Sequence, residues 1–241
     1  MRIYVVDNYE ELSVKAALIV AGQVALKANS MLGLCTGSTP IGMYKELVKM
    51  HQQQALDFSQ IISFNLDEYF GLSPESEQSY HYFMQDNLFK HLNVTQENIN
   101  IPNGLAAKTD EECLRYEQAI AQAGGLDLQV LGIGRNGHIG FNEPAPEFIG
   151  NTHLVQLDED TIYANARFFD SRTEVPTQAI TMGIKTIMQA QKILLLANGA
   201  GKAQAVKDTI LGEINPHVPA SILQLHDDCT FIIDKEAAQY L

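Results

Sequence analysis

The sequence predicts an α/β fold in which helices pack over a mostly parallel β-sheet. Two observations carry that reading. Short apolar runs of strand length alternate with longer amphipathic stretches from one end to the other, and turns rich in glycine or hydroxyl residues follow several of those runs directly. Length sets the scale: 241 residues can bury a substantial core. No internal repeat, low-complexity tract or charge block marks a boundary, so residues 1–241 read as a single domain.

The first run, Ile3 to Val6, meets acids too soon to be a secretory or transit segment and reads as a strand. The amphipathic stretch Glu10 to Ala28 is the first expected helix, followed by a strand at Met31 to Cys35. Pro40 suits the first turn of the next helix, Ile41 to Gln54, because its missing N–H costs nothing there. A strand at Ile61 to Asn65 precedes helices at Tyr80 to His91 and Thr109 to Ala123. The run Leu128 to Ile133 is the next strand. Pro144 and Pro146 then forbid a regular helix in Asn142 to Thr152. A strand at His153 to Leu157, helices at Asp160 to Ala166 and Gly183 to Ala190, a strand at Ile193 to Ala197 and a helix at Lys202 to Leu211 complete the expected elements.

Composition excludes several classes of function. The net charge of −13 opposes non-specific binding to nucleic acid or to an anionic membrane, so positive charge for an anionic ligand must be supplied locally. The aromatic residues form no ladder with basic ones for stacking single-stranded nucleic acid. No apolar stretch approaches the roughly 20 residues that span a bilayer. Cys35, Cys113 and Cys229 are far apart and odd in number, so a reducing, cytoplasmic compartment is expected rather than a disulfide framework. The histidines show no metal-ligand spacing, and no metal is expected.

In an α/β sheet ligands bind beyond the carboxyl ends of the strands, which directs attention to the turns after them. Thr36-Gly37-Ser38-Thr39-Pro40 lies between a strand and a helix. Its glycine allows close backbone approach, Thr39 is placed to cap the helix, and free N–H groups with neighbouring hydroxyls suit a phosphate. An ordinary capped turn would look the same from this pentapeptide alone. A second such turn, Ala197 to Lys202, puts Lys202 where a helix should begin. A cation there opposes the helix dipole unless something negative sits opposite, so Lys202 is a phosphate candidate, although the Walker spacing is missing. A solvated surface lysine is the plainer alternative. Arg167 could be another phosphate cation, or could only end a helix.

Asp67 and Glu68 follow a strand and are shielded by Tyr69 and Phe70. Burial there would raise a carboxyl pKa toward the range of a general base, whereas acids after strands are more often turn formers. The richest stretch is Gly132 to Pro144, with Gly132, Gly134, Gly137 and Gly140 placing four glycines in nine residues. His138 and Glu143 are near enough to pair, and a carboxylate that orients an imidazole is a recurring catalytic device. Asn136 supplies a nearby amide. Gly132 to Gly137 also satisfies the dinucleotide fingerprint, with Asp158 about twenty residues on. Context argues against a nicotinamide, because the two prolines that follow break the helix the last glycine should open. No cofactor is expected.

TGSTP, FNLDEY, GIGxNGHIGFNEP, NARFFD and QLH occur in an order, and over nearly the whole chain, that resembles the glucosamine-6-phosphate deaminase family. The resemblance implies a modified Rossmann-type three-layer fold, with a mostly parallel sheet flanked by helices. It further implies conversion of glucosamine 6-phosphate and water to fructose 6-phosphate and ammonia, as in amino-sugar catabolism. It makes Asp67 the base that moves a proton between carbons 2 and 1, and His138 the group that opens the sugar ring, tuned by Glu143 and Asn136. Thr36, Gly37, Ser38 and Thr39, with Arg167 and Lys202, would hold the phosphate, and Glu68, Gly132, Gly134 and Gly137 would line the substrate.

Two departures from the family pattern stand out. Some members carry an aspartate where this chain has Asn136, which can orient a ring but cannot stabilise an imidazolium by charge. Larger members are hexamers activated by N-acetylglucosamine 6-phosphate through basic residues shortly after the NEP motif. The corresponding APEFIGNTHLVQL holds no Lys or Arg, so an unregulated monomer is expected. Rival readings are a 6-phosphogluconolactonase or pentose-phosphate isomerase on the same fold, and a non-catalytic sugar-phosphate sensor.

Overall fold

The computed structural model describes residues 1–165, 169 and 174–241. Seven strands form one parallel sheet in the order β1-β10-β9-β6-β2-β3-β5: β1 Arg2–Val6, β2 Met31–Leu34, β3 Ile62–Asn65, β5 Ile99–Asn100, β6 Leu128–Gly132, β9 Ile193–Ala197 and β10 Cys229–Asp234. The central strands LQVL of β6 and ILLLA of β9 are buried on both faces, which is why they read as continuous apolar runs rather than alternating ones. The helices are α1 Tyr9–Leu26, α2 Ile41–Gln52, α3 Tyr80–Asn87, α4 Thr109–Ala123, α5 Glu159–Asn165, α6 Ile184–Met188 and α7 Ala203–Leu211.

Helix α1 starts where Asn8 accepts a hydrogen bond from the Glu11 amide at 2.9 Å, and its buried stripe runs through Leu12, Ala16, Val20 and Val24. It packs closely on α2: a Cβ added at Gly42 would lie 2.0 Å from Ser13 Oγ. This crossing brings the first turn of α1 to the first turn of α2.

A second, antiparallel sheet, in the order β4-β8-β7, stands apart from the first: β4 is Asp67–Tyr69, β7 is His153–Gln156 and β8 is Gln178–Thr181. The chain leaves β3 at Leu66, whose amide still bonds Leu34 O at 2.9 Å while its carbonyl accepts from Met182 N at 2.7 Å. Leu66 is thus the joint between the two sheets, and Asp67 is the first residue beyond it.

The expected strand His153 to Leu157 is present as β7, but in this antiparallel sheet. Strands β4, β5, β8 and β10 were not anticipated. Helix Tyr80 to His91 ends at Asn87 and continues as a 3₁₀ turn, Phe89–His91. Lys202 closes a 3₁₀ turn, Ala200–Lys202, ahead of α7. Thr39 does not cap α2: Pro40 takes the cap position without a side-chain bond, and Thr39 Oγ1 donates to Asn198 Oδ1 at 2.7 Å.

Candidate active site

The turns singled out above extend from β2, β3, β6 and β9, and in the order β9-β6-β2-β3 these four strands are neighbours. From β2 the chain proceeds outward through β3, and from β6 it proceeds outward the other way to β9. The crevice between β2 and β6 is therefore a topological switch point, where open α/β sheets place their ligands.

The turn after β2 is held from three sides. The Tyr9 hydroxyl, from the first residue of α1, donates to Ser38 O and Thr39 O at 3.0 and 3.1 Å and accepts from Gly42 N at 2.8 Å. Tyr44 donates to Cys35 O at 2.5 Å. The Tyr80 hydroxyl, at the start of α3, lies close to the side chains of Thr36 and Tyr69. The bond from Thr39 to Asn198 joins this turn to the one after β9. There the Gly199 amide donates to both carboxylate oxygens of buried Asp234, at 3.0 and 2.9 Å, and Lys202 N donates to Gly199 O at 3.0 Å. A hydroxyl-rich turn and a glycine-rich turn with a half-buried lysine are thereby fixed side by side.

Opposite them, Asp67 is buried at 5% exposure, and among the described residues no donor reaches its carboxylate. Burial first, and the neighbouring Glu68 second, push its pKa well above the usual carboxylate range. Buried Cys35 stands close by, and burial, reinforced by Asp67, pushes its thiol up to about 12. It stays protonated and is no nucleophile.

The loop after β6 lies directly on the Asp67 strand. Gly140 (φ +57°) makes this approach, since a Cβ there would sit 2.9 Å from Thr181 Oγ1 and 3.4 Å from Asp67 Oδ2. Asn142 pins the loop by donating to Ile139 O and Met182 O at 2.9 and 2.8 Å. His138 Nδ1 lies 3.2 Å from Glu143 Oε2, which also accepts from Asn136 Nδ2 at 2.9 Å, while Asn136 Oδ1 accepts from the His138 amide at 3.2 Å. Thr161 of α5 donates to the other Glu143 oxygen. Burial alone would raise the Glu143 pKa, but the bonds from His138, Thr161 and Asn136 outweigh it and hold the carboxyl below its ordinary value. The His138 ring lies over Gly134, where a Cβ would meet it at 2.3 Å. The histidine side chain is 20% exposed and the glutamate 9%, so a ligand can reach the ring but not its orienting acid.

The model of the family of glucosamine-6-phosphate isomerases and 6-phosphogluconolactonases matches residues 9–232. The chain belongs to this family. It is 60% identical over its whole length to a glucosamine-6-phosphate deaminase of Clostridium botulinum strain Hall, covering 99% of that protein, and 58% identical to the one from strain Eklund 17B, covering 97%. Among solved structures, a monomeric glucosamine-6-phosphate deaminase superposes with a TM-score of 0.98 at 48% identity, each chain fully covered. A 6-phosphogluconolactonase from Thermotoga maritima shares the fold at a TM-score of 0.77 and 18% identity, over 97% of this chain and 99% of the other.

Of the residues expected from the sequence, Thr36 to Thr39 and Lys202 lie on two turns joined by the Thr39 to Asn198 bond, Asn136, His138 and Glu143 bond one another, and Asp67 lies against Gly140 of the same loop. Gly132, Gly134 and Gly137 form the floor of that loop. Arg167 lies outside the described residues. Glu68 is turned away from the cleft: its carboxylate accepts from the amides of Tyr69, Tyr80 and His81 at 2.8, 2.9 and 2.8 Å, anchoring the start of α3. Its pKa is raised to about 6 by burial, against the lowering effect of those three bonds. In this arrangement Glu68 positions Tyr80 rather than lining the cleft.

Sequence reasoning missed Tyr9, Tyr80, Thr161 and Asp234. Each acts on a partner distant in the chain. Among the described residues there is no group of His, Cys, Asp or Glu side chains arranged to hold a metal, and no helix is long and apolar enough to cross a membrane.

Proposed function

We propose that this protein converts glucosamine 6-phosphate and water to fructose 6-phosphate and ammonia. The observation that carries the reading is the contact, at Gly140, of a buried carboxyl of raised pKa with the loop that holds an oriented histidine a ligand can touch. Full-length identity of 60% to a deaminase supports it over the lactonase reading, whose solved representatives are similar in fold alone.

The phosphate sits between the turns after β2 and β9, with Lys202 and, from the family pattern, Arg167 as its cations. Binding energy from that remote group holds the reacting carbons in place. His138, with Nδ1 committed to Glu143, uses Nε2 to move the proton that opens the ring. Asp67 takes the carbon-2 proton of the open-chain aldose and returns it to carbon 1, giving the ketose imine level; water then displaces the amine as ammonia. A carboxyl poised by burial suits a step in which it must both take and return a proton. Proton transfer and hydrolysis call for no cofactor.

The protein acts as one domain, as a monomer in the cytoplasm, on a small phosphorylated amino sugar and without a nucleic-acid or membrane partner. The monomeric state of the superposing deaminase supports the monomer in that reading. The test is release of ammonia and fructose 6-phosphate from glucosamine 6-phosphate, with a chelator present and no nucleotide. Equal amounts of both are expected. Binding without turnover would point to a sensor, and turnover of a 6-phosphogluconate lactone instead would overturn the assignment.

A further inference from the structure

The catalytic loop carries one side chain whose direction the reaction above does not use. Arg135 lies between Gly134, which supports the His138 ring, and Asn136, which bonds Glu143. Its guanidinium leaves that loop and lies against Gly201 in the turn after β9: Nε is 3.5 Å, and Cζ and one terminal nitrogen are 3.8 Å, from the position a Cβ of Gly201 would take. The residue following Gly201 is Lys202. Arg135 is exposed and, among the described residues, is held by no ion pair or hydrogen bond. By contrast, Arg2, Lys27, Lys49, Lys90, Lys108, Arg115 and Lys235 of this acidic chain each stand against a carboxylate.

The turn from Ala197 to Lys202 holds no acidic residue that could pair with the Arg135 guanidinium. A phosphate dianion bound at that turn would supply the missing counter-charge, and a guanidinium offers it two parallel N–H donors where an ammonium is a point charge. We infer that Arg135 is a further phosphate ligand, reaching from the catalytic loop to the phosphate turn. The inference rests on the phosphate site placed under Proposed function. It adds a direct link between the two halves of the cleft, because the backbone that positions Arg135 also positions Asn136 and His138. The sugar phosphate would be held by one cation from each of two loops, so that seating the phosphate also fixes the loop that carries the histidine.

The test compares the whole protein with Arg135→Ala, Arg135→Gln and Arg135→Lys. One readout is KM and kcat for glucosamine 6-phosphate. The other, independent of turnover, is thermal stabilisation by inorganic phosphate and by fructose 6-phosphate. Loss of a charge-assisted bond predicts a KM raised about tenfold in the alanine and glutamine variants, with a smaller fall in kcat. The apparent phosphate affinity should weaken in parallel, and Arg135→Lys should recover part of both. Unchanged KM and unchanged stabilisation by phosphate would overturn the inference, as would equal losses in all three variants. If the unaltered protein releases no ammonia, the deaminase reading fails, yet the phosphate titration still decides the role of Arg135. If the unaltered protein is not stabilised by phosphate at all, the phosphate site and this inference fall together.

Discussion

Replacing Tyr9 by Phe removes one oxygen and little else, yet that oxygen ties three points of the proposed phosphate turn to α1. It donates to Ser38 O and Thr39 O and accepts from Gly42 N at 2.8 Å. A hydrogen bond contributes about 0.5 to 1.5 kcal/mol net. One acceptance and one shared donation therefore amount to about 1 to 3 kcal/mol, and the lower half applies because the Ser38 end is open to water. For a chain of this size, with a urea slope of about 3 kcal/mol/M, the midpoint should fall by about 0.5 M without a change in slope. The turn is also loosened where the phosphate docks, so KM should rise about threefold to tenfold while kcat changes less. Urea unfolding followed by circular dichroism reads the first quantity and steady-state ammonia release the second. An unmoved midpoint would mean that the hydroxyl does not strap the turn. A lowered midpoint with unchanged KM would mean that the turn is not where the phosphate sits.

Asp67→Asn should abolish isomerisation while sparing substrate affinity. A carboxyl whose folded pKa is raised contributes stability below its unfolded pKa and loses it as pH rises, so the variant should gain stability over the parent from acid to neutral pH; thermal melts across that range check this, and a constant difference would deny that Asp67 is buried as a strained acid. Glu143 has a lowered pKa, so its stabilising contribution is present above the unfolded value and lost as pH falls through the folded one. Glu143→Gln should flatten that acid-side loss and slow turnover, and an undiminished acid-side loss would remove the Glu143 carboxylate from the account. Glu68→Ala should cost about 3 kcal/mol by leaving one buried and two part-buried amides without an acceptor, and it should raise KM through Tyr80 and Thr36. A loss of stability with no kinetic effect would make Glu68 purely structural. N-acetylglucosamine 6-phosphate should leave the kinetics hyperbolic, and a sigmoidal curve made hyperbolic by it would refute the unregulated monomer.

Much of the fold was legible because the central strands are buried on both faces and announce themselves as apolar runs; β2, β6 and β9 were placed within a residue or two. The antiparallel sheet was not, because DEY is too short to show a period and its partner QAIT has only two strongly apolar residues. CTFIID escaped as well, although its Phe and paired Ile after a double aspartate are an ordinary strand signal. At the site, His138 and Glu143 are close in sequence, so their pairing could be foreseen. The role of Glu68 could have been foreseen too, since adjacent residues of a strand face opposite ways and Asp67 and Glu68 cannot both face one cleft. Tyr9 and Asp234 could not, because nothing local marks a hydroxyl or a carboxylate whose partners lie 29 to 35 residues away. The same holds for Thr39, whose hydroxyl was drawn from the helix end by Asn198.

The position of β10 between β1 and β9 bears on how the protein is made. Arg2 pairs with Thr230, so β1, once made, has no neighbour in the sheet until β10 has followed it. A nascent chain that has reached Ala197 can assemble five of the seven strands, from β9 to β5, while β9 presents an unpaired apolar edge and β1 hangs free. Asp234, at the end of that late strand, is also what pins Gly199. The turn after β9 is therefore set only when β10 docks, so a partly synthesised chain would be sticky and would lack the proposed phosphate turn, and both conditions would end in a single closing step.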